Sequence, residues 1–433
     1  MAQFNSANSS LQDWNKTLYE VVMVADKYGN PITSGNPSGM AVDSFGRARS
    51  SSPVTLFDSF HRYQDNESSA TSNTAGGTYS HNANTSAIEM TVDSTSNAEV
   101  IRETKRVFAY QPGKSLQILS TGCFGPAKAG LRNRTGYFGS ENGVYFERDG
   151  SDIYFVKRTK VDGTVQNVRV PQSDWNHDAL DGNGPSHLTL DTEKSYIFFM
   201  DIEWLGVGSI RCGFVINGMF IHCHTFNHAN IITSSYMTTA CLPGRVEIKN
   251  TGGMTGTATQ QQICFTVISE GGYSLRGKMR SYYLNPVAAS QYRLATPGTF
   301  YPVLSFRLNP DRPDSIVVPK NISLSGINQG TYQWKIVSGS TVSGAVWANT
   351  PGSNNVQYNS NTSATISGGT DLTSGYMTVT NQAASAIKLA DGTFDFQLER
   401  NSLSNTMITF TLAVTCDTAT ANVVAGMDWQ EIT

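Results

Sequence analysis

The sequence predicts an all-β protein, and three observations predict it. Charged residues make up only 15% of the 433 positions, against roughly 25% in an average soluble domain. Ser, Thr, Asn and 39 glycines occupy the places that charge leaves. Short apolar–polar alternations broken by Gly, Asn and Pro recur along the chain, whereas no stretch sustains the 3.6-residue period of an amphipathic helix. Hydrophobic residues at 39% supply packed cores, which excludes a disordered chain, and the Ala, Glu, Lys and Leu enrichment of a coiled coil is missing. At about 100–200 residues per domain, the length corresponds to more than one domain.

Residues 1–100 read as an N-terminal arm and polar loop region with a few strands. A strand is expected over 19–24, followed by the turn signal Tyr28-Gly-Asn-Pro31. Residues 64–85 are almost entirely Ser, Thr, Asn, Gly and Ala. Such a stretch cannot offset its own ordering entropy, so it reads as a long loop or as a segment ordered only against a partner.

Residues 101–296 read as a β-sandwich. The runs 144–148 and 153–158 flank Asp149-Gly-Ser-Asp152, a hairpin signature. The run 196–200 is one more strand. The strongest local signal is 210–216, then Asn217-Gly218, then 219–224. Asn-Gly supplies the two positive φ angles of a type I′ turn and fixes the register. Ile216 is then expected opposite Met219, Phe214 opposite Ile221, and Cys212 opposite Cys223. One face is an almost continuous apolar surface, and the other carries Arg211, Gly213, Val215, Phe220, His222 and His224. A sheet with one apolar and one mixed face belongs in a sandwich or jelly roll.

Five of the 15 prolines fall within 297–319, and this cluster predicts a connection, because proline breaks ladders and helices. Residues 320–433 read as a second, C-terminal β-sandwich. Its strands are expected over 333–337, 376–380, 394–399 and 408–415, with 401–405 as a hairpin loop.

The chemistry is mostly exclusion. A net charge of −3 gives no polyanion-binding field, so nucleic acid is not an expected partner. The first 14 residues lack an export signal, and no run reaches the roughly 18–20 apolar residues of a membrane span. Six scattered cysteines point to free buried thiols and a reducing cytoplasm, with Cys212 and Cys223 as two reduced core thiols. Gly113-Lys114-Ser115 is the tail of a phosphate loop, but Phe108 stands where its first glycine is required. Asp178-Ala-Leu-Asp181-Gly-Asn183 has the composition of a calcium loop without its spacing, and reads as a polar turn.

His222, His224 and His228 form the candidate metal set. His222 and His224 share a strand face and Cys223 points away from it, so the four cannot ligate one ion, and no metal is expected. No catalytic or cofactor-binding residues are expected. Trp175, Trp204, Tyr137 and Tyr145 lie near polar loops and are the candidates for stacking on a sugar ring or contacting a partner.

Phe199-Met-Asp201-Ile-Glu203-Trp-Leu-Gly206 resembles the active-site strand of laminarinase-type glycoside hydrolases, which implies a lectin-like jelly roll for the central sandwich. In that family a glutamate two residues before the Asp is the nucleophile; here that position is Phe199. The resemblance places Glu203 at the acid/base and Asp201 at the supporting carboxylate. Retaining hydrolysis needs two carboxyl groups about 5–5.5 Å apart, so the resemblance carries the fold and not the catalysis.

Longer stretches resemble virion structural proteins of tailed bacteriophages. They are Ser38-Gly-Met-Ala-Val-Asp-Ser-Phe-Gly-Arg47, Pro53-Val-Thr-Leu-Phe-Asp58, Arg102-Glu-Thr-Lys-Arg106, Tyr110-Gln-Pro-Gly-Lys-Ser115 and Gly136-Tyr-Phe-Gly-Ser-Glu-Asn-Gly143. Asp201-Ile-Glu-Trp-Leu-Gly-Val-Gly208, Gly213-Phe-Val-Ile-Asn-Gly218 and His224-Thr-Phe-Asn-His-Ala-Asn230 complete the set. The similarity spans about residues 38–275. It implies a non-enzymatic virion protein, assembled in the host cytoplasm with itself and with other virion proteins. A tail component (baseplate or fibre) is the first expectation. A capsid decoration or head-fibre protein, or a module binding host-surface glycan, is the alternative.

Overall fold

The computed structural model describes residues 12–14, 17–19, 52–272, 277–287, 291–380, 386–389, 397–401 and 403–432. The chain divides into two compact units, Met1–Pro53 and Val54–Thr433. In the first, Gln12–Trp14 pairs antiparallel with Thr17–Tyr19. The strand expected over 19–24 lies, beyond Tyr19, outside the described residues, as does the Ser38–Arg47 stretch.

The second unit is all-β, as composition and periodicity predict. It holds two antiparallel sandwiches in succession, and among the described residues the helical structure is a single 3-10 turn, Gln172–Asp174. The first sandwich is jelly-roll-like. Its seven-stranded sheet runs Gln166–Pro171, Asp152–Thr159, Gly143–Asp149, Leu131–Phe138, Gly244–Asn250, Glu99–Thr104, Ser69–Asn73. Its eight-stranded sheet runs Met219–Phe226, Ile210–Ile216, Ser195–Ile202, Ser115–Cys123, Ala258–Glu270, Ala87–Val92, Gly77–Asn82, and Val54–Phe60 also pairs with Ala258–Glu270.

Two boundaries therefore differ from the expected ones. The sandwich begins at Val54 rather than 101, and the polar run 64–85 holds two strands rather than one long loop. Ser69–Asn73 and Gly77–Asn82 pair with the chain's own Glu99–Thr104 and Ala87–Val92. Neighbouring strands supply the hydrogen bonds and apolar contacts that this run lacks alone.

Alternation within each strand builds the core. Phe146 and Phe155, paired across one sheet, face Phe198 and Phe214, paired across the other. The Phe146 ring lies 5.0 Å from Phe214 and 5.7 Å from Phe198. Trp175 stacks on Phe155 at 4.2 Å.

The hairpin at 210–226 follows the expected register at its tip. Asn217 and Gly218 have φ of 52° and 75°, Ile216 opposes Met219 and Phe214 opposes Ile221. Beyond that a bulge intervenes: Gly213 opposes His222 and Cys212 opposes His224, leaving Cys223 unpaired in the ladder. The expected pairing of Cys212 with Cys223, and the shared face of His222 and His224, are thereby overturned. One inserted residue turns the following side chain over. His224 is consequently buried between Phe155 and Phe226, while His222 lies against Phe199 on the outer face. Both cysteines are buried, unbridged thiols.

The outer face of the seven-stranded sheet carries an ion-pair ladder. Glu103 pairs with Arg245 (3.1 Å), Arg245 with Glu247 (3.0 Å), and Glu247 also with Arg132 (3.1 Å) and Arg134 (3.0 Å). Arg134 continues to Glu147, Glu147 to Arg169, and Arg169 to Asp149. Glu247 is buried, yet Arg245, Arg134 and Arg132 outweigh that burial and hold its carboxyl down at about 2.

The second sandwich starts at Lys278. One sheet contains Lys278–Tyr283, Ala421–Ile432, Ile316–Gly326 and Ala386–Leu389, with Tyr292–Leu294 also on Ala421–Ile432. The other contains Ala348–Asn349, Val356–Asn359, Tyr301–Leu308, Phe410–Cys416, Gly330–Ser338 and Thr370–Val379. The expected connection over 297–319 is thus largely strand. Proline is accommodated because the ladder is irregular just beyond Pro302 and Pro319, where bulges remove the need for a regular N–H. The last strand of the first sandwich ends at Glu270 and the first strand of the second begins at Lys278. The strands expected over 333–337, 376–380 and 408–415 are present as Gly330–Ser338, Thr370–Val379 and Phe410–Cys416. Residues 397–399 are not strand, 394–396 lie outside the described residues, and a short hairpin, Arg400–Asn401 with Thr406–Met407, encloses the expected loop.

Two stability predictions follow from these environments. Glu247→Gln leaves three arginines facing a neutral side chain, and should lower unfolding free energy by about 3–5 kcal/mol. Urea denaturation checks this, and an unchanged midpoint would contradict the ladder. Burial holds His61, His224 and His228 at about 4 against an ordinary 6.5. The unfolded chain therefore takes up these protons first. Their contribution is complete above pH 6.5 and declines as pH falls toward 4; that of Glu247, with its folded value of about 2 against 4.5, declines only below 4.5. Urea midpoints measured across this range should fall in two successive windows, and a flat profile between about pH 7 and 5 would rule out the histidine contribution.

Candidate functional site

The site lies on the outer face of the eight-stranded sheet, where Ser195–Ile202 ends. Phe198, Met200 and Ile202 point into the core, so alternation places Phe199 and Asp201 outward. Glu203 begins a tight turn closed by Glu203 N–H to Ser209 O (3.0 Å) and Gly208 N–H to Trp204 O (2.7 Å). The turn requires positive φ at Leu205 (37°) and Gly206 (78°). It borders a cavity of about 320 Å³ lined by Gly113, Lys114, Ser115, Asp201, Glu203, Ser209 and Arg211.

Two segments that are distant in sequence meet here: Tyr110–Ser115 and Asp201–Gly208 both carry the bacteriophage resemblance. Ser115 Oγ donates to Asp201 Oδ1, and Arg211 Nη1 stands 4.0 Å from Asp201 Oδ2. Glu270 lies opposite Ser115 across the adjoining ladder. Its own burial, and then the Asp201 charge, raise its carboxyl above the usual range. Beside the cavity, Trp204 is half-buried and edge-on to Tyr110 at 6.1 Å. The Trp204 Nε1 and Tyr236 Oη atoms are buried without a hydrogen-bond partner among the described residues. Burial, followed by the charges of Tyr110 and Glu203, pushes the Tyr236 phenol well up.

Of the four aromatic candidates, only Trp204 is at this site. Tyr137 is fully buried, its hydroxyl shared between the Phe108 and Ala240 carbonyls. Tyr145 is fully buried between Arg134 and Arg158 and donates to Asn167 Oδ1 (3.1 Å). Trp175 is a core residue whose Nε1 reaches Val170 O at 3.3 Å. These three are therefore corrected to packing residues, since no sugar ring reaches a fully packed face.

The three histidines do not converge either. His228 stacks on Tyr236 at 4.0 Å, donates from Nδ1 to Gly208 O (2.7 Å) and accepts from Lys157 Nζ at Nε2 (2.9 Å). It thereby braces the turn at 203–209. The Asp178 carboxylate accepts the N–H groups of Leu180 and Ser186 (2.9 and 2.8 Å), as a polar turn requires.

Phe199 explains how the strand differs from a hydrolytic one. Its ring meets Phe220 edge-on at 5.0 Å and His222 at 5.5 Å. Gly213 beside it leaves the necessary room, because a Cβ there would come within 2.7 Å of the ring. Sequence reasoning missed Lys114, Ser115, Tyr110 and Tyr236 as neighbours of Glu203. The first three sit in a segment with visible resemblance, but only strand pairing brings it to the 201–208 turn. Glu270 carries no sequence signal at all.

No protein-family model matches the chain. No curated protein matches it. Among solved structures, similarity is found to the CBM2 module of the evolved Dit of Lactobacillus casei BL23 phage J-1. That match has 6% identity, covers 52% of this chain and 100% of that one, and has a TM-score of 0.34. Bacillus licheniformis β-glucanase matches at 12% identity over 51% and 98%, with a TM-score of 0.30. A legume lectin-like domain from Entamoeba histolytica matches at 11% identity over 46% and 89%, with a TM-score of 0.27. No helix among the described residues is long and apolar enough to cross a membrane.

Proposed function

We propose that this chain is a non-enzymatic structural protein of a bacteriophage virion whose central sandwich binds a host-surface saccharide in the Asp201–Glu203 cavity. The observation that carries the reading is the convergence of the Tyr110–Ser115 and Asp201–Gly208 segments on one polar cavity. Carboxylates, a guanidinium and an ammonium line it, and half-buried Trp204 follows the lining residue Glu203 in the turn. Carboxylate and guanidinium groups bind vicinal hydroxyls through paired hydrogen bonds. Phe199 in place of a carboxylate favours binding over cleavage.

A tail location, in the baseplate or fibre, and self-association belong to the same reading. The exposed Met219 and Phe220 at the hairpin tip suit a protein contact. Immunogold labelling of intact particles tests the location. Label at the tail tip supports the reading, label over the head moves the protein to capsid decoration, and its absence from particle proteomics removes the virion role.

Saccharide binding is tested by titrating the purified chain with surface polysaccharide from the host. Saturable binding is expected, weakened about tenfold or more in Glu203→Gln and Arg211→Ala, which each remove a charged hydrogen-bonding group. Reducing ends should not accumulate. Accumulation that Glu203→Gln abolishes would replace binding with hydrolysis, and no saturable heat would remove the cavity from the proposal.

A further inference from the structure

The second sandwich holds a basic pocket that the saccharide reading does not use. Lys278 and Arg280 are two residues apart on Lys278–Tyr283, opposite Glu431 and Trp429. At the open end between the sheets they meet Arg312, Ser353, Asn354 and Asn355 around a cavity of about 200 Å³. Glu431 is the one carboxylate among its described lining residues.

That carboxylate is already engaged. It is 5% exposed and accepts from Ser353 Oγ, from Trp429 Nε1 (2.8 Å) and from Asn355 Nδ2 (3.3 Å). Its ion pair with Arg280 Nε is 3.5 Å long, too long and misaligned to be a hydrogen bond. Arg312 Nη1 reaches only Asn355 Oδ1, at 3.4 Å. Lys278 has no hydrogen-bond or ion-pair partner among the described residues. Three cations therefore face one carboxylate that three other donors already orient. In the Glu103-to-Asp149 ladder, by contrast, each arginine is matched by at least one acid.

We infer that this pocket binds an oxyanion, the carboxylate or phosphate group of a ligand. The donor set fits that chemistry: the Arg280 guanidinium, whose Nε makes no hydrogen bond, a second guanidinium and an ammonium, with the exposed Asn354 at the rim. Glu431 acts as a positioning residue. It holds the 353–355 turn through Ser353 Oγ and Asn355 Nδ2, and its charge opposes that of an incoming anion.

The test is calorimetric titration of the full chain with inorganic phosphate and, separately, with glucuronate, at constant ionic strength. Saturable binding of one probe identifies its group as the ligand chemistry. Lys278→Ala/Arg312→Ala should weaken that binding at least about tenfold and leave the thermal midpoint unchanged, because neither side chain is packed. Glu431→Gln, if it folds, should tighten it by removing the opposing charge. No saturable heat with either probe overturns the inference. So does equal affinity in the wild type and the double variant, which would reduce the effect to an adventitious ion.

Discussion

The first sandwich depends on an aromatic seam between its sheets. Phe146 and Phe155 on one inner face meet Phe198 and Phe214 on the other, and Trp175, Phe124 and Tyr196 close the same cluster. Rings of this size define the spacing of the layers and the inward phase of every strand that contributes one. Once Phe198, Met200 and Ile202 are committed inward, Phe199 and Asp201 have no choice of face. The cavity at the strand's end is a consequence of core packing.

Two irregularities adjust this frame. The bulge at Cys223 reverses the side chains after it, so that His224 joins the core edge while His222 stays outside with Phe199. The irregularities beyond Pro302 and Pro319 let strands of the second sandwich carry prolines that a regular central ladder would reject. In both sandwiches one extra residue decides which side chain faces which layer.

Charge is arranged in two contrasting ways. On the seven-stranded sheet, acids and arginines alternate across adjacent strands and neutralise one another while buried. At the Asp201–Glu203 cavity and the Lys278–Arg280–Arg312 pocket, charged groups face open space instead. Buried ion networks rigidify a face, whereas partly matched groups at a cavity retain the capacity to pair with a ligand. The two cavities differ in kind: one mixes both signs, and the other is predominantly cationic.

The sequence by itself determined the all-β class, the two-sandwich order, the Asn217-Gly218 hairpin tip and the absence of a carboxylate at position 199. These follow from local rules: period-two alternation, turn chemistry and residue identity. It also marked Trp204 and the 201–208 turn. Only the tertiary structure decided that Ser69–Asn73 and Gly77–Asn82, within the polar run 64–85, are strands, because their hydrogen bonds come from Glu99–Thr104 and Ala87–Val92. Tyr137, Tyr145 and Trp175 became core residues for the same reason, since an aromatic beside a polar loop carries no mark of what packs on it. Ser115 and Glu270 joined Asp201 through ladders spanning up to 155 residues, a distance at which no local pattern acts. The oxyanion pocket likewise exists only where residues 278–280, 312, 352–355 and 431 meet. Strand pairing and sheet stacking are long-range, and that is where the sites are made.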